Sequence, residues 1–572
     1  MLDKLIQCRL QERVRSVLPD ANIDTVQVRP CPDLKFGDYQ SNSLMALAKE
    51  RKRNPRQLAE EIVGDLDVAE WCEKVEIAGA GFLNFRVKNE AVAGVLRAAA
   101  RGEHLFFEKC PKPRTLVVDF SSPNVAKPMH VGHIRSTILG DALVRVLRLL
   151  GHQVITDNHI GDWGTQFGKL LVGWKKDLDR SNLESDPLGE MGRIYKQVNA
   201  SFEADEEVKN SARQELVKLQ DGDVVNLSIW REMIDLSLKE FEKVYSRLGV
   251  TFDHVLGESF YNPKLKGVAK DLLDLGIAQE SEGATVVFFD KATNWSDPSI
   301  ILKRDGGANY TTTDLATLEY RLKTWQPSEI VYVTDARQQL HFQQLFHIYH
   351  RWRPSSSVVL SHVWFGMILG PDGTPFKTRT GENIGLNALL DEAEERALVT
   401  VTEKNPNLPE SERREIARVV GIGAVKYSDL LPNRQSDYRF DWDKMLALTG
   451  NTAVYLLYAY TRIRSVARKA AEVGAKASTD NLQLVQPGEL ALAKHLMRFG
   501  LSVEAMATEY RPNYLCNYLF ELAGLFSQFY EKCPVIQAEE KERASRLALC
   551  ELAGRVLKQG LEILGIATTE RM

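Results

Sequence analysis

The chain has 572 residues, enough for three to four domains at roughly 150 residues each. Hydrophobic residues at 44%, charged residues at 26% and a formal net charge of −4 are ordinary for a globular protein, so any nucleic-acid surface must come from local basic patches. The seven cysteines are scattered without a Cys-x-x-Cys pair, no apolar run reaches about 18 residues, and Met1-Leu2-Asp3-Lys4 opens no secretion signal; a disulfide framework, a cysteine zinc site and a membrane span are disfavoured, and a cytoplasmic protein is expected.

Residues 1–110 mix helix and strand. Leu58, Ile62 and Leu66 recur at helical spacing after Asn54-Pro55, and Val75-Glu76-Ile77 and Phe82–Val87 read as strands around Gly79-Ala80-Gly81. Lys109-Cys110-Pro111-Lys112-Pro113 reads as a linker, because two prolines in three residues resist regular structure. From Thr115 to Gly370 strand and helix alternate as in a parallel α/β sheet, with strand-like runs at Leu116–Phe120, Gln153–Thr156 and Ile330–Val333. The charged helical stretch from Leu178 to Glu258 reads as helices inserted in that domain, or as a solvated surface. Beyond Leu386 helical periodicity dominates. Asn451-Thr452-Ala453 starts a helix carrying Val454, Leu457, Tyr458 and Ile463; Ser478–Asn481 and Pro487 mark a break; Leu547 to Leu564 is amphipathic. The expected architecture is multidomain α/β: a small α+β N-terminal domain (1–110), a Rossmann-like parallel-sheet domain with helical insertions (111–385), a helical connector (386–445) and an all-helical C-terminal bundle (446–572).

His130-Val131-Gly132-His133 is the most informative stretch. A strand, the turn Ser121-Ser122-Pro123-Asn124 and Lys127 precede it, and an amphipathic helix from Ile134 to Leu150 follows, with Gly151 placed to cap it. A helix start offers free N–H groups and partial positive charge, a natural seat for phosphate. Two imidazoles there, with a glycine between them, suit attack on the α-phosphate of ATP, where negative charge must be met by cations or N–H donors. Taken alone, metal ligation or plain structural histidines compete; zinc pairs on helices prefer i,i+4 spacing, and no cysteine or glutamate lies near. A second donor cluster is Gly370-Pro371-Asp372-Gly373-Thr374-Pro375-Phe376-Lys377-Thr378-Arg379, a phosphate-covering loop or a hairpin turn with surface charges.

These blocks, with Asn158-His159-Ile160-Gly161-Asp162-Trp163-Gly164-Thr165-Gln166-Phe167-Gly168, Lys35-Phe36-Gly37-Asp38-Tyr39-Gln40 and Gly560–Ile566, resemble the class I aminoacyl-tRNA synthetases, and among them the arginyl-tRNA synthetases of bacterial type. The resemblance runs over nearly the whole chain. It implies a two-step reaction: arginine and ATP, with magnesium, give arginyl-adenylate and diphosphate, and the terminal ribose of tRNA(Arg) then takes the arginyl group. It also implies that tRNA is needed for the first step, that the enzyme is a monomer, and that no metal or organic cofactor is tightly bound. The class I Lys-Met-Ser-Lys-Ser signature is degenerate here, with Thr378 where the second lysine would stand. Similar arginyl enzymes share this loss, and the resemblance implies that Lys127 supplies the missing charge beside His130, Gly132 and His133, with Lys377 and Arg379 assisting.

A guanidinium is planar and best met by carboxylates and aromatic faces. Tyr310 and Asp314 share a face if a helix starts there, although Asp314 could equally be a carboxylate at a helix N-terminus. By resemblance Tyr310 and Asp314 hold the guanidinium, Ser122, Pro123, Asn124, His133 and Gln338 fix the rest of the arginine, and Asp119 faces the same pocket. On the RNA side, Phe82 and Asn84 match positions that contact a D-loop base, while Arg462, Arg464, Arg468 and Lys469 follow the aromatic stretch Tyr455, Tyr458 and Tyr460 in a domain that resembles the anticodon-binding bundle. A core aromatic at Phe82 and surface charges beside core tyrosines are the plainer alternatives. Two rivals for the whole chain stay open: another nucleotidyltransferase of the superfamily, which would not need the bundle, and a silent RNA-binding relative, which would be expected to lose His130, His133, Lys127 or Asp314.

Overall fold

The computed structural model describes every residue except 34, 203, 204, 291, 292, 294, 375, 377–383, 480 and 481. At the N-terminus a four-stranded antiparallel sheet runs in the order Arg29–Pro30, Tyr39–Ser41, Phe82–Val87, Cys72–Ala78. The helices Leu2–Val17, Pro55–Gly64 and Asn89–Ala100 belong to the same domain. Pro55–Gly64 begins where the sequence signals it: the Asn54 side chain accepts from the N–H groups of Arg56 and Gln57, and Pro55 fills the first position, where no donor is needed.

The central sheet is parallel, in the order Val359–His362, Glu329–Tyr332, Thr115–Asp119, Gln153–Asp157. Leu116, Val117 and Val118 are fully buried, which is why this strand reads as a continuous apolar run rather than an alternating one. The strand that follows Thr115–Asp119 in the chain joins one side of it, and Glu329–Tyr332 joins the other. The order therefore reverses between Thr115–Asp119 and Glu329–Tyr332, and their C-terminal ends open the crevice where such sheets bind ligands.

Helices Pro187–Phe202, Glu206–Gln220 and Val224–Leu248 form the expected insertion. The alternation of strand and helix is broken, however, by an antiparallel three-stranded sheet, Gln279–Ser281, Ala284–Val287 and Ser299–Leu302. Its strands are only three or four residues long, too short for a period to stand out. The connector also differs from expectation. After the helices Leu386–Lys404 and Glu410–Leu430, Tyr438–Arg439 pairs in parallel with Ile368–Leu369, so the connector is tied back to the sheet domain by strand hydrogen bonds.

The C-terminal bundle contains Ala453–Glu472, Pro487–Leu496, Phe499–Glu509, Asn513–Lys532 and Glu540–Ile563. It closes on the other domains: Lys494 pairs with buried Asp38 at 2.6 Å, Lys4 with Glu504 at 2.6 Å, and the Tyr510 hydroxyl donates to Glu329 at the start of a central strand, also at 2.6 Å. Among the described residues no helix is long and apolar enough to cross a membrane.

Candidate active site

The loop from Phe120 to His130 leaves the first central strand and enters the helix Val131–Leu149. Ser121, Ser122 and Ala126 all have φ between 49° and 75°, a region that L-residues avoid. Such strain persists only where surroundings over-determine it. Here they do. Ser121 N–H donates to Ser136 Oγ at 2.8 Å, the Ser121 hydroxyl meets Thr137 and Tyr245 hydroxyls at 2.8 Å each, and Ser122 N–H donates to Asn158 Oδ1 at 3.0 Å. The two motif blocks are also knitted by backbone, with Gly161 N–H donating to Pro123 O and Val125 N–H to Gly161 O, both at 3.0 Å. Asn124 is exposed at the mouth, while Pro123 is buried behind it.

The two histidines form the cap of their own helix. His130 Nδ1 accepts from Gly132 N–H at 3.0 Å, and His133 Nδ1 accepts from His130 N–H at 3.1 Å. A neutral imidazole that accepts at Nδ1 carries its proton on Nε2. Burial, then the nearby Arg337 and Lys127, lower the pKa of His130; burial above all, with His130 beside it, pushes His133 down to about 4. At neutral pH the pair thus offers two Nε2–H donors and no formal charge. Gly132 is explained by this packing: a Cβ there would lie 2.7 Å from His130 Cε1 and 2.9 Å from Nδ1. Lys127 is exposed, its ammonium 5.3 Å from the centre of the Tyr195 ring.

The second donor loop is rooted beside this cap. Val131 N–H donates to Ile384 O at 3.0 Å and Leu386 N–H to Met129 O at 2.9 Å. Its leading part is a tight turn, with Gly370 N–H donating to Thr374 O at 2.7 Å, Gly373 at φ 81°, and Phe376 stacked on Phe440 at 4.5 Å. The hairpin reading holds at 370–374, and the described chain resumes at Ile384 beside the histidines. Lys377 and Arg379 lie outside the described residues. Buried Arg135 fixes the arrangement, donating to Gly366 O at 2.7 Å and Ser436 O at 3.2 Å and pairing with Asp429 at 3.1 Å.

Across the crevice, the helix Tyr310–Trp325 begins at Tyr310, so Tyr310 and Asp314 do share a face. Asp314 does not act as a cap; its carboxylate meets His341 Nε2 at 2.6 Å, and His341 lies edge-on to Tyr310 at 4.8 Å. Gln338 is exposed at the start of the next helix. Asp119 departs from expectation. It is 6% exposed, and its carboxylate takes Arg321 Nη2 at 2.6 Å and the Ser122 hydroxyl at 3.1 Å, so its charge is engaged beneath the pocket rather than open to a ligand.

The residue reading missed three groups. His341 is one. Arg321, fully buried, bridges Asp119 and Asp157. Glu258 opens the helix Glu258–Asp274, where burial, Asp314 and Asp162 raise its pKa to about 7, against His159 and a hydrogen bond from Trp163 N–H. Asp162 caps the same helix through Ser259 N–H at 2.8 Å and the Ser259 hydroxyl at 2.6 Å. The sequence signal for Glu258 was weak: a glycine and an acid ahead of the mixed stretch Ser259-Phe260-Tyr261-Asn262-Pro263.

The RNA-side residues divide. Phe82 is half-buried at the start of its strand, but Asn84 is only 5% exposed, between cross-strand neighbours Gln40 and Glu76, which leaves little of it for a partner. Tyr458, one of the aromatics read as interleaved with basic residues, is exposed rather than a core tyrosine, with the Arg462 guanidinium 5.0 Å from its ring and 5.8 Å from that of Tyr530. Arg464 is not free: Glu570 near the chain terminus holds it at 2.8 Å. Arg462, Arg468, Lys469 and Arg571 line an open cleft of about 680 Å³. Among the described residues no group of three or more His, Cys, Asp or Glu side chains is arranged to hold a metal ion.

Comparison with known families bears on the chain as a whole. The description "tRNA synthetases class I (R), catalytic domain" matches residues 96–442, well over half of the chain; "Arginyl tRNA synthetase N terminal domain" matches 1–87 and "DALR anticodon binding domain" 456–572. The chain belongs to the arginyl-tRNA synthetase family. It is 46% identical to the arginine–tRNA ligases of Escherichia fergusonii and Proteus mirabilis, in each case over 99% of this chain and 100% of the relative. The arginyl-tRNA synthetase of Thermus thermophilus superposes with a TM-score of 0.85 at 26% identity over 100% of both chains, and that of Plasmodium falciparum with 0.84 at 29% identity, covering 100% of this chain and 99% of the other. The family's three-part layout coincides with the antiparallel N-terminal sheet, the parallel-sheet domain and the helical bundle.

Proposed function

We propose that the crevice between Thr115–Asp119 and Glu329–Tyr332 serves the activity of this chain, the ATP-dependent joining of arginine to tRNA, with the following division of labour. His130 and His133 donate Nε2–H to the phosphate chain of ATP, the Gly132 backbone lies at the helix start beside it, and Lys127 supplies formal positive charge. Tyr310, Asp314 and Glu258 receive the guanidinium, and Asn124, Gln338, Ser122 and Pro123 border the α-amino and carboxylate end. An arginine carboxylate oxygen then bonds to the α-phosphorus as the bond to the diphosphate breaks. In the second step the terminal ribose hydroxyl of tRNA attacks the arginyl carbonyl and AMP leaves. Magnesium enters with ATP as part of the substrate. Arg462 between two tyrosine rings, with the basic cleft behind it, is the RNA-contacting surface of the bundle, and Phe82 serves the N-terminal domain.

The observation that carries this reading is the cap itself. Both imidazoles are locked at Nδ1, so their remaining donors are aimed away from their own backbone at a helix start. We further infer a cytoplasmic monomer without a tightly held cofactor; the seven free cysteines fit a reducing compartment. Arginine-dependent ATP–pyrophosphate exchange, run with and without tRNA, tests the whole assignment. Exchange with arginine only when tRNA is added is expected. Exchange with another amino acid would discard the pocket, and none under any condition would favour a silent relative.

A further inference from the structure

The imidazoles are neutral, yet the reaction brings a polyphosphate with several negative charges to them. The described residues place a second cation at this mouth besides Lys127, and the sequence reading named only its neighbour, Gln338. The turn after Glu329–Tyr332 crosses the first turns of the helix Val131–Leu149: Ser136 Oγ donates to Val333 O at 2.6 Å, Val333 N–H to Asp119 O at 2.9 Å, and Ala336 N–H to Phe365 O at 3.0 Å. Arg337 stands on that turn, on the other side of the crevice from the loop that ends in His130. Its guanidinium is tethered to Asp335 as a fork, Nε to Oδ1 at 3.0 Å and Nη2 to Oδ2 at 2.6 Å, while Asp335 also accepts Arg337 N–H at 2.8 Å. The Arg337 side chain is nevertheless 80% exposed. A guanidinium has five N–H donors, and this fork engages two of them. The rest are held in a fixed plane at low entropic cost, a geometry suited to two phosphate oxygens at once.

We propose that Arg337 is a phosphate-binding residue of the first step, gripping the β,γ-phosphates of ATP and the diphosphate they become. The proposal rests on the reading of His130, His133 and Lys127 given above. Arg337 makes no covalent bond. The α-phosphorus–oxygen bond breaks toward the diphosphate, which takes the electron pair, and the guanidinium stays protonated while the charge it faces grows. The same proximity shows in His130, whose protonation Arg337 opposes more than Lys127 does. A tethered cation has a second advantage over Lys127: its position does not depend on ordering a long side chain when ATP arrives.

The test is calorimetric titration of the intact protein, with tRNA present, using an ATP analogue bridged by methylene between the α- and β-phosphates, and adenosine as control. Arg337→Gln is expected to weaken the analogue about tenfold or more while adenosine binding stays the same, with Arg337→Lys recovering part of the loss because it restores charge but not the fork. In pyrophosphate exchange the Gln variant should slow turnover with the KM for arginine unchanged. Unaltered analogue affinity would overturn the proposal, and so would a parallel loss of adenosine and arginine binding, which marks a merely structural role. Lys127→Ala in the same titration separates the two levels. If it weakens the analogue and Arg337→Gln does not, this proposal alone falls; if neither does, the phosphate site itself has been misplaced.

Discussion

Replacing Gly132 by alanine separates catalysis from stability at this site. The added Cβ would meet His130 Cε1 at 2.7 Å and Nδ1 at 2.9 Å, so the ring must swing away and the 3.0 Å hydrogen bond from Gly132 N–H must break. Two opposing effects bear on folding. Alanine is favoured over glycine inside a helix by about 0.8–1.0 kcal/mol. Loss of an N-cap costs about 0.5–2 kcal/mol. The net is within roughly 1 kcal/mol of zero, and the apparent melting temperature should move by only a few degrees. Catalysis has no such compensation. A displaced donor at the site of developing charge costs about 10²–10³ in rate, or about 2.7–4 kcal/mol of transition-state stabilisation. The assay is tRNA-dependent arginine-driven pyrophosphate exchange alongside thermal melting of the same sample. Exchange near the level of the unaltered protein would refute the claim that the ring position set by Gly132 matters. Loss of both activity and cooperative melting would show that the methyl group unfolds the helix start instead of moving a donor.

Three further outcomes follow from the same geometry. Lys127→Ala should slow exchange by about two orders of magnitude while leaving the Kd for tRNA unchanged, measured by filter binding; equal loss of both would assign Lys127 to RNA. Asp314→Asn removes one charged partner of the guanidinium, at about 2–3 kcal/mol, so the KM for arginine should rise roughly 30- to 150-fold with little change in turnover; an unchanged KM would take Asp314 out of the pocket. Glu258, held near 7 without ligand, should ionise when a guanidinium arrives, since an opposite charge favours the carboxylate. Arginine binding then releases a proton below pH 7, and affinity should climb with pH toward 7 and level off above it; titration in buffers of different ionisation enthalpy reads the proton count, and zero release at pH 6.5 would sink the assignment.

What the sequence made legible was local. The helix start at His130–His133, the Asn54-Pro55 helix start and the shared face of Tyr310 and Asp314 each depend on residues within one or two turns, where spacing dictates geometry. What it hid was pairing across distance. His341 reaches Asp314 over 27 residues and Arg321 reaches Asp119 over 202, and no periodicity announces either. The same holds for Glu570 on Arg464, 106 residues apart, which gives an expected RNA contact an ion-pair partner within the chain. Short strands were lost for a related reason: Tyr438–Arg439 exists only because Ile368–Leu369 lies beside it. Asp119 shows the cost of reading a residue type without its partner, since a carboxylate at a strand end is open to ligand or engaged by protein depending on a helix two hundred residues on.

That engagement bears on specificity. The crevice gathers four carboxylates, Asp119, Asp157, Asp314 and Glu258, and the protein answers only the lower two with a guanidinium of its own. Arg321 lies between Asp119 at 2.6 Å and Asp157 at 2.8 Å, with no exposure to solvent. The upper two are left with weaker partners, an imidazole on Asp314 and a backbone N–H on Glu258, and burial, with Asp314 and Asp162 nearby, raises the pKa of Glu258. A buried carboxylate without a matching cation is costly, and the cost is relieved by whatever supplies one. A planar fork can satisfy two carboxylates from one rigid group, as Arg321 does below, whereas the ammonium of lysine is a single point on a flexible stem and leaves one acceptor short, at about 1–3 kcal/mol. If preference for arginine arises in this way, Glu258→Gln should narrow the gap between arginine and lysine in exchange by raising the KM for arginine while leaving that for lysine little changed. A gap that stays as wide after the substitution would place the discrimination elsewhere in the crevice.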